Sequence, residues 1–145
     1  MKKNFFSLLL AVVVMLAGSG VMAAERTFAV KAGKLSIEIP DGWTEKGSSD
    51  GCKIDSADGK NTMTVRIILQ KNLPAMDTAK KIADSIHMKI INENMEDDIA
   101  ALWGEANGAQ MAVFVAADED MAITAILKGP EVITMATIFT SVEVE

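Results

Sequence analysis

Met111-Ala112-Val113-Phe114-Val115-Ala116, followed after a turn by Ala122-Ile123-Thr124-Ala125-Ile126-Leu127, decides the fold. Both runs are apolar at odd and even positions alike. Successive side chains of a strand point to opposite faces, so a strand that is dry on both lies mid-sheet with something packed over each side. Asp118-Glu119-Asp120 supplies the turn between the two, and Asn107-Gly108 supplies the turn before them. Strands are predicted over about 101–105, 109–116 and 121–128. One helix cannot cover both faces of such a sheet, so two covers are required.

Upstream, Gly33-Lys34-Leu35-Ser36-Ile37-Glu38-Ile39-Pro40-Asp41-Gly42-Trp43 opens the domain. Leu35, Ile37 and Ile39 alternate with Ser36 and Glu38, a strand with one dry face. Pro40 ends it for want of an N–H, Asp41-Gly42 turns the chain, and Trp43 returns a large ring toward the core. A short strand over 27–31 pairs with it as a hairpin about Ala32-Gly33. Residues 45–51 read as a polar loop and 52–56 as a third strand. Asp58-Gly59 is a hairpin turn into a fourth, 61–70, which places Met63, Val65, Ile67 and Leu69 on one face.

A helix is predicted over about 76–92. Ala79, Ile82, Ala83, Ile86 and Ile90 form its apolar stripe, and Asp77 is placed to cap it. Residues 92–98 read as an acidic loop. In the tail, Pro130 suits a helix start and Val132, Met135, Ala136 and Phe139 recur at helical spacing, so a short helix over about 130–141 is the second cover. A strand is the alternative there, since the segment is rich in Val, Ile and Thr. The fold class is therefore α+β, a three-layer α/β/α sandwich about a mainly antiparallel sheet of about six to seven strands.

The first 24 residues have the form of a signal peptide. Lys2 and Lys3 precede an apolar run of roughly 12 residues, shorter than the ~20 needed to span a bilayer, and small residues lead to cleavage after Ala23 or Ala24. Residues 25–145 then form a single domain, periplasmic or secreted and soluble, with no stable membrane anchor after cleavage. Without Lys2 and Lys3 the chain keeps 12 of its 14 basic side chains against 20 acidic ones, a formal charge of −8. Such a field disfavours nucleic acid and anionic lipid. The single cysteine, Cys52, has no internal partner; on the dry side of its strand beside Ile54 it reads as a buried, inert thiol, with a reactive or intermolecularly bridged one as the alternative.

Chemistry-bearing patterns are sparse. His87 is the only histidine and stands beside no identifiable nucleophile or acid. There is no Gly-x-Ser-x-Gly, phosphate-cradling glycine loop or His-Glu-x-x-His, and enzyme activity is not expected. The methionines after the leader fall singly, one per element, as core fillers rather than as a copper cluster. The acidic runs 93–98 and 118–120 do not have the spacing of a calcium loop. No cofactor or metal is expected. The charges of these runs read by default as solvated loop surface; with Trp103 near them, Glu96, Asp97 and Asp98 could instead form an acidic rim beside a large apolar residue, the candidate partner-binding patch.

The hairpin ending in Ile39-Pro40-Asp41-Gly42-Trp43, the Asp58-Gly59 turn into a long strand, the helix from about Ala79, the paired strands over 109–128 and the closing short helix resemble a PsbP-like domain, including its DcrB-like exported bacterial members. The resemblance spans about residues 27–142. It implies an α/β/α sandwich, in agreement with the two-sided dry strands, and an accessory or adaptor role. Relatives of that fold bind other proteins in photosystem assembly, nuclear transport and effector loading. None of their binding residues has a matching motif here, and the lipid-attachment cysteine of the lipoprotein members is missing. The expectation is an exported, non-enzymatic accessory protein that binds another protein in the cell envelope. The rival is a small-ligand or metal-ion binding protein with a pocket between helix and sheet.

Overall fold

The computed structural model describes residues 3–4, 23–96 and 98–145. In chain order the elements are β1 (Lys3–Asn4), β2 (Ala23–Val30), β3 (Gly33–Pro40), β4 (Thr44–Ser48), β5 (Gly51–Asp55) and β6 (Thr62–Ile68). Then come α1 (Ala75–Ser85), β7 (Lys89–Glu96), β8 (Ile99–Ala106), β9 (Ala109–Ala117), β10 (Ala122–Lys128), α2 (Val132–Thr140) and β11 (Glu143–Val144). The leader expected over residues 1–24 lies mostly outside the described residues.

Seven strands form the main sheet in the order β4-β5-β6-β10-β9-β8-β7, every neighbouring pair antiparallel. Two meanders, β4 to β6 and β7 to β10, are joined by α1 and meet where β10 lies against β6. A smaller sheet, β1-β11-β3-β2, is added at the side. The α+β sandwich expected from the dry strands is what forms. β9 and β10 lie inside the main sheet and are buried along most of their length.

Alternation splits the apolar residues between two cores. Phe114, Ile123, Leu127, Met63 and Val65 pack under α2 (Met135, Phe139) and under Leu35, Ile37 and Ile39 of β3. Val113, Val115, Leu102 and Ala100 pack on the other side under Ala75, Ala79 and Ala83 of α1. The second cover is thus α2 together with the small sheet. Ser141 at the end of α2 accepts the Glu38 N–H on its hydroxyl at 2.9 Å, tying helix to strand. A fully enclosed ring such as Phe114 contributes about 2–3 kcal/mol through removal from water.

The turns follow their residues. Asn107 and Gly108 both take positive φ, 51° and 77°, the conformation a two-residue hairpin needs, and they join Ala106 to Ala109 across β8 and β9. Asp58 folds the β5–β6 loop by accepting Ser56 Oγ at 2.6 Å and the Lys60 N–H at 2.9 Å, and these bonds hold its carboxyl below the usual carboxylate range. Asp118 gathers the N–H groups of Asp120 and Met121, each at 2.8 Å.

Five expectations are corrected. The long helix over about 76–92 ends at Ser85. His87 adopts φ 56°, its N–H reaches the Asp84 carbonyl at 3.1 Å, and the Met88 N–H reaches back to Ala83 at 2.9 Å. This is a Schellman stop, with Met88 buried against the same core as Ala83, and histidine holds the left-handed position that glycine usually takes. The residues beyond, including Ile90 and the supposed acidic loop, form β7. The polar loop over 45–51 is mostly β4, a strand with every residue exposed and hence no alternation to read. Asp77 does not cap α1; Pro74 occupies the cap, and Asp77 sits in the first turn, where its charge favours the helix dipole. Leu69, beyond the end of β6, is exposed.

Candidate docking surface

The β7–β8 hairpin carries the residues nominated as a partner site. Trp103 lies opposite Asn92, and Glu96 lies opposite Ile99. Directly opposed residues share a face, so Trp103 and Glu96 point to the same side, four strand positions and about 13 Å apart. Asp98 is exposed in the turn between the strands. Asp97 lies outside the described residues. Trp103 and Glu96 therefore share one hairpin face without touching.

Trp103 is half-buried. Its ring meets Phe114 edge to face, centroids 5.0 Å apart at 73°, and Phe114 in turn packs on Phe139 at 5.4 Å. α2 packs against β9 and β10. Trp103, one strand further out, forms the margin of that core.

The larger feature was not foreseen. Every residue of β7 is exposed, and the strand closes the end of the sheet with β8 as its one partner. Ile90, Ile91 and Met95 stand on it as large exposed apolar residues. Ile90 pairs with Gly104, but Asn92 already pairs with Trp103, so Ile91 is the extra residue of a bulge. Ile90, Glu93 and Met95 share the α1 side, where Glu93 meets Lys80 at 3.5 Å. The β-branched pair Ile90-Ile91 is the one strand signal here, and the helical stripe ending at Ile90 obscured it; Asn92-Glu93-Asn94 has no apolar period to read.

The remaining nominated groups lie apart. Cys52 is buried and its thiol is pushed up to about 12, chiefly by burial, so it carries no nucleophilic charge near neutrality. His87 is exposed at the helix stop. Met63 and Met135 fill one core and Met88 and Met111 the other. Among the described residues no cluster of His, Cys, Asp and Glu is arranged to hold a metal ion, and no helix is long and apolar enough to cross a membrane.

No family model matches the sequence, and no curated protein matches it. Solved structures do. The cyanobacterial PsbP protein (CyanoP) of Synechocystis sp. PCC 6803 matches at a TM-score of 0.58 and 19% identity, over 89% of this chain and 96% of that one. A Bacteroides thetaiotaomicron VPI-5482 protein matches at a TM-score of 0.55 and 10% identity, over 83% of this chain, which spans 48% of that longer one. The Saccharomyces cerevisiae Ran-binding protein Mog1p aligns at 0.47 and 8% identity, over 83% and 85% of the two chains. The chain has a PsbP-like fold.

Proposed function

We propose that this chain is an exported, non-enzymatic accessory protein that binds another protein of the cell envelope, taking an extended segment of it along β7. One observation carries the proposal. An eight-residue strand at the edge of the main sheet is exposed throughout and bears Ile90, Ile91 and Met95. Edge strands offer unpaired N–H and C=O groups, and folded proteins usually blunt them with charge, proline or a cover. Here Lys89, Glu93, Glu96 and the bulge at Ile91 blunt the edge only in part: Glu93 is turned to Lys80, and Ile90, Ile91 and Met95 stay uncovered. An added strand would satisfy the backbone groups, its apolar side chains would cover Ile90 and Met95, and a basic residue would meet Glu96 and Asp98. The half-buried Trp103 lies on the opposite face, across from Asn92. Cleavage after Ala23 or Ala24 would release the domain and leave the β2–β3 hairpin paired from Glu25 onward.

The test places a photo-crosslinking residue at position 95 of the mature domain in an envelope extract. The expected result is one discrete protein, crosslinked through a single peptide and lost when Ile91→Pro removes a backbone donor while the circular dichroism spectrum is kept. Crosslinking that ignores Ile91→Pro, or none at all, overturns the proposal. Mass measurement of the exported chain checks the leader, with a first residue of Ala24 or Glu25.

A further inference from the structure

At the opposite end of the same sheet, pairing across the strands aligns Lys46, Lys53, Thr64, Ile126, Val113 and Leu102 in one row. Opposed residues share a face, so the whole row lies on the side that carries α1. α1 packs on β8 and β9, which accounts for the apolar half of the row. Beyond the helix the row turns cationic and stands open, with Lys46 and Lys53 both exposed.

Two lysines directly opposite one another repel. Among the described residues neither makes an ion pair, and the hydroxyl of Thr64 beside them makes no hydrogen bond. The carboxylates on this face are engaged elsewhere. Asp50 accepts both Nε and Nη2 of Arg66, at 3.1 and 2.8 Å, together with Ser48 Oγ at 3.0 Å, while Asp55 accepts Thr62 Oγ1 at 2.9 Å. A depression of about 260 Å³ lies between Lys46, Ser48, Lys53, Thr64 and Arg66. Gly51, at the start of β5, lets that strand approach β6 closely. It pairs with both Ser48 and Arg66, and a Cβ there would strike the Val65 carbonyl.

We infer that this cationic end of the row is a second docking surface, for a carboxylate-bearing segment of another protein. A carboxylate between Lys46 and Lys53 would neutralise the facing charges and accept the Thr64 hydroxyl. The depression has room for one carboxylate side chain of such a segment, and a chain of net charge −6 repels the dense charge of nucleic acid and anionic bilayers at longer range. The surface is separate from β7 and stands or falls independently of it.

The experiment is a nitrogen-15 NMR titration of the mature domain with hexaglutamate at low salt, with hexaglutamine as the uncharged control. Saturable shifts are expected at the Lys46, Lys53 and Thr64 amides with hexaglutamate only, weakening as sodium chloride is raised. The Lys46→Gln/Lys53→Gln double variant should weaken binding about tenfold or more, while Lys60→Gln/Lys128→Gln, at another lysine pair, should not. Absence of saturable shifts, or equal losses in both double variants, overturns the inference. So does a response of the same amides to inorganic phosphate or phosphatidylglycerol vesicles without one to hexaglutamate.

Discussion

Asn61 and Glu131 hold each other by two hydrogen bonds. Asn61 Nδ2 donates to Glu131 Oε2 at 2.7 Å, and the Glu131 N–H donates to Asn61 Oδ1 at 2.8 Å. Asn61 is fully buried, just before β6, and its own N–H and Nδ2 also reach Ser56 Oγ at 3.1 and 3.3 Å. The β5–β6 loop and the entry to α2 are thereby joined across 70 residues of sequence.

Asn61→Ala keeps the backbone bond to Ser56 Oγ but removes the three bonds of the amide side chain and strands the Glu131 N–H, so it should cost about 2 kcal/mol in urea denaturation. Glu131→Gln keeps an acceptor for Nδ2 and should cost less than about 1 kcal/mol. Equal losses in the two variants would assign the junction's stability to the charge rather than to the paired bonds.

His87 holds a left-handed conformation at about 1–2 kcal/mol relative to a relaxed backbone. Glycine adopts it freely but loses about 0.5–1 kcal/mol more entropy on folding. His87→Gly should therefore stabilise the domain by about 0.5 kcal/mol, and His87→Val, β-branched in that conformation, should destabilise it. Paired thermal melts read both.

The Cys52 thiol should resist iodoacetamide at pH 8 in the folded chain and react in urea. Its pKa rises from 9.0 to about 12 on folding. The folded state therefore holds a proton that the unfolded state has released between those values. That contribution is complete below about pH 9 and is lost as pH climbs toward about 12. Urea midpoints between pH 8 and 11 should fall, and less steeply in Cys52→Ala. Identical slopes would remove the thiol from the alkaline response.

Lys46→Glu places a carboxylate opposite Lys53 and should stabilise the domain by about 0.5 kcal/mol. The gain should shrink at high salt. A neutral or unfavourable change would show that the two ammonium groups already avoid each other by splaying.

Much of the sandwich was legible because its central strands are dry on both sides, which few other arrangements accommodate. Asn107-Gly108 announced its hairpin through residues suited to positive φ. The end of α1 was not legible, because the stop uses His87, and the bond that makes it, Met88 to Ala83, is a tertiary outcome of burying Met88. That error carried Ile90 into a helix and concealed β7. Of the nominated patch, Trp103 and Glu96 do share a hairpin face, but the exposed isoleucines beside them became visible only with the strand. The facing lysines depend on the β4–β5 register, and Thr44-Glu45-Lys46-Gly47-Ser48 has no apolar period from which to read one.

The seam between β6 and β10 sets an order on synthesis. Residues 62–68 leave the ribosome some sixty positions before the strand that pairs with them, Ala122–Lys128. Until then β6 is a temporary border with one edge unpaired, and Met63, Val65 and Ile67 still await the cover of α2 further along the chain; long-range pairing of this kind is slow to form. A nascent chain halted before residue 122 is thus the form most exposed to clumping, and a holding chaperone would find its target there.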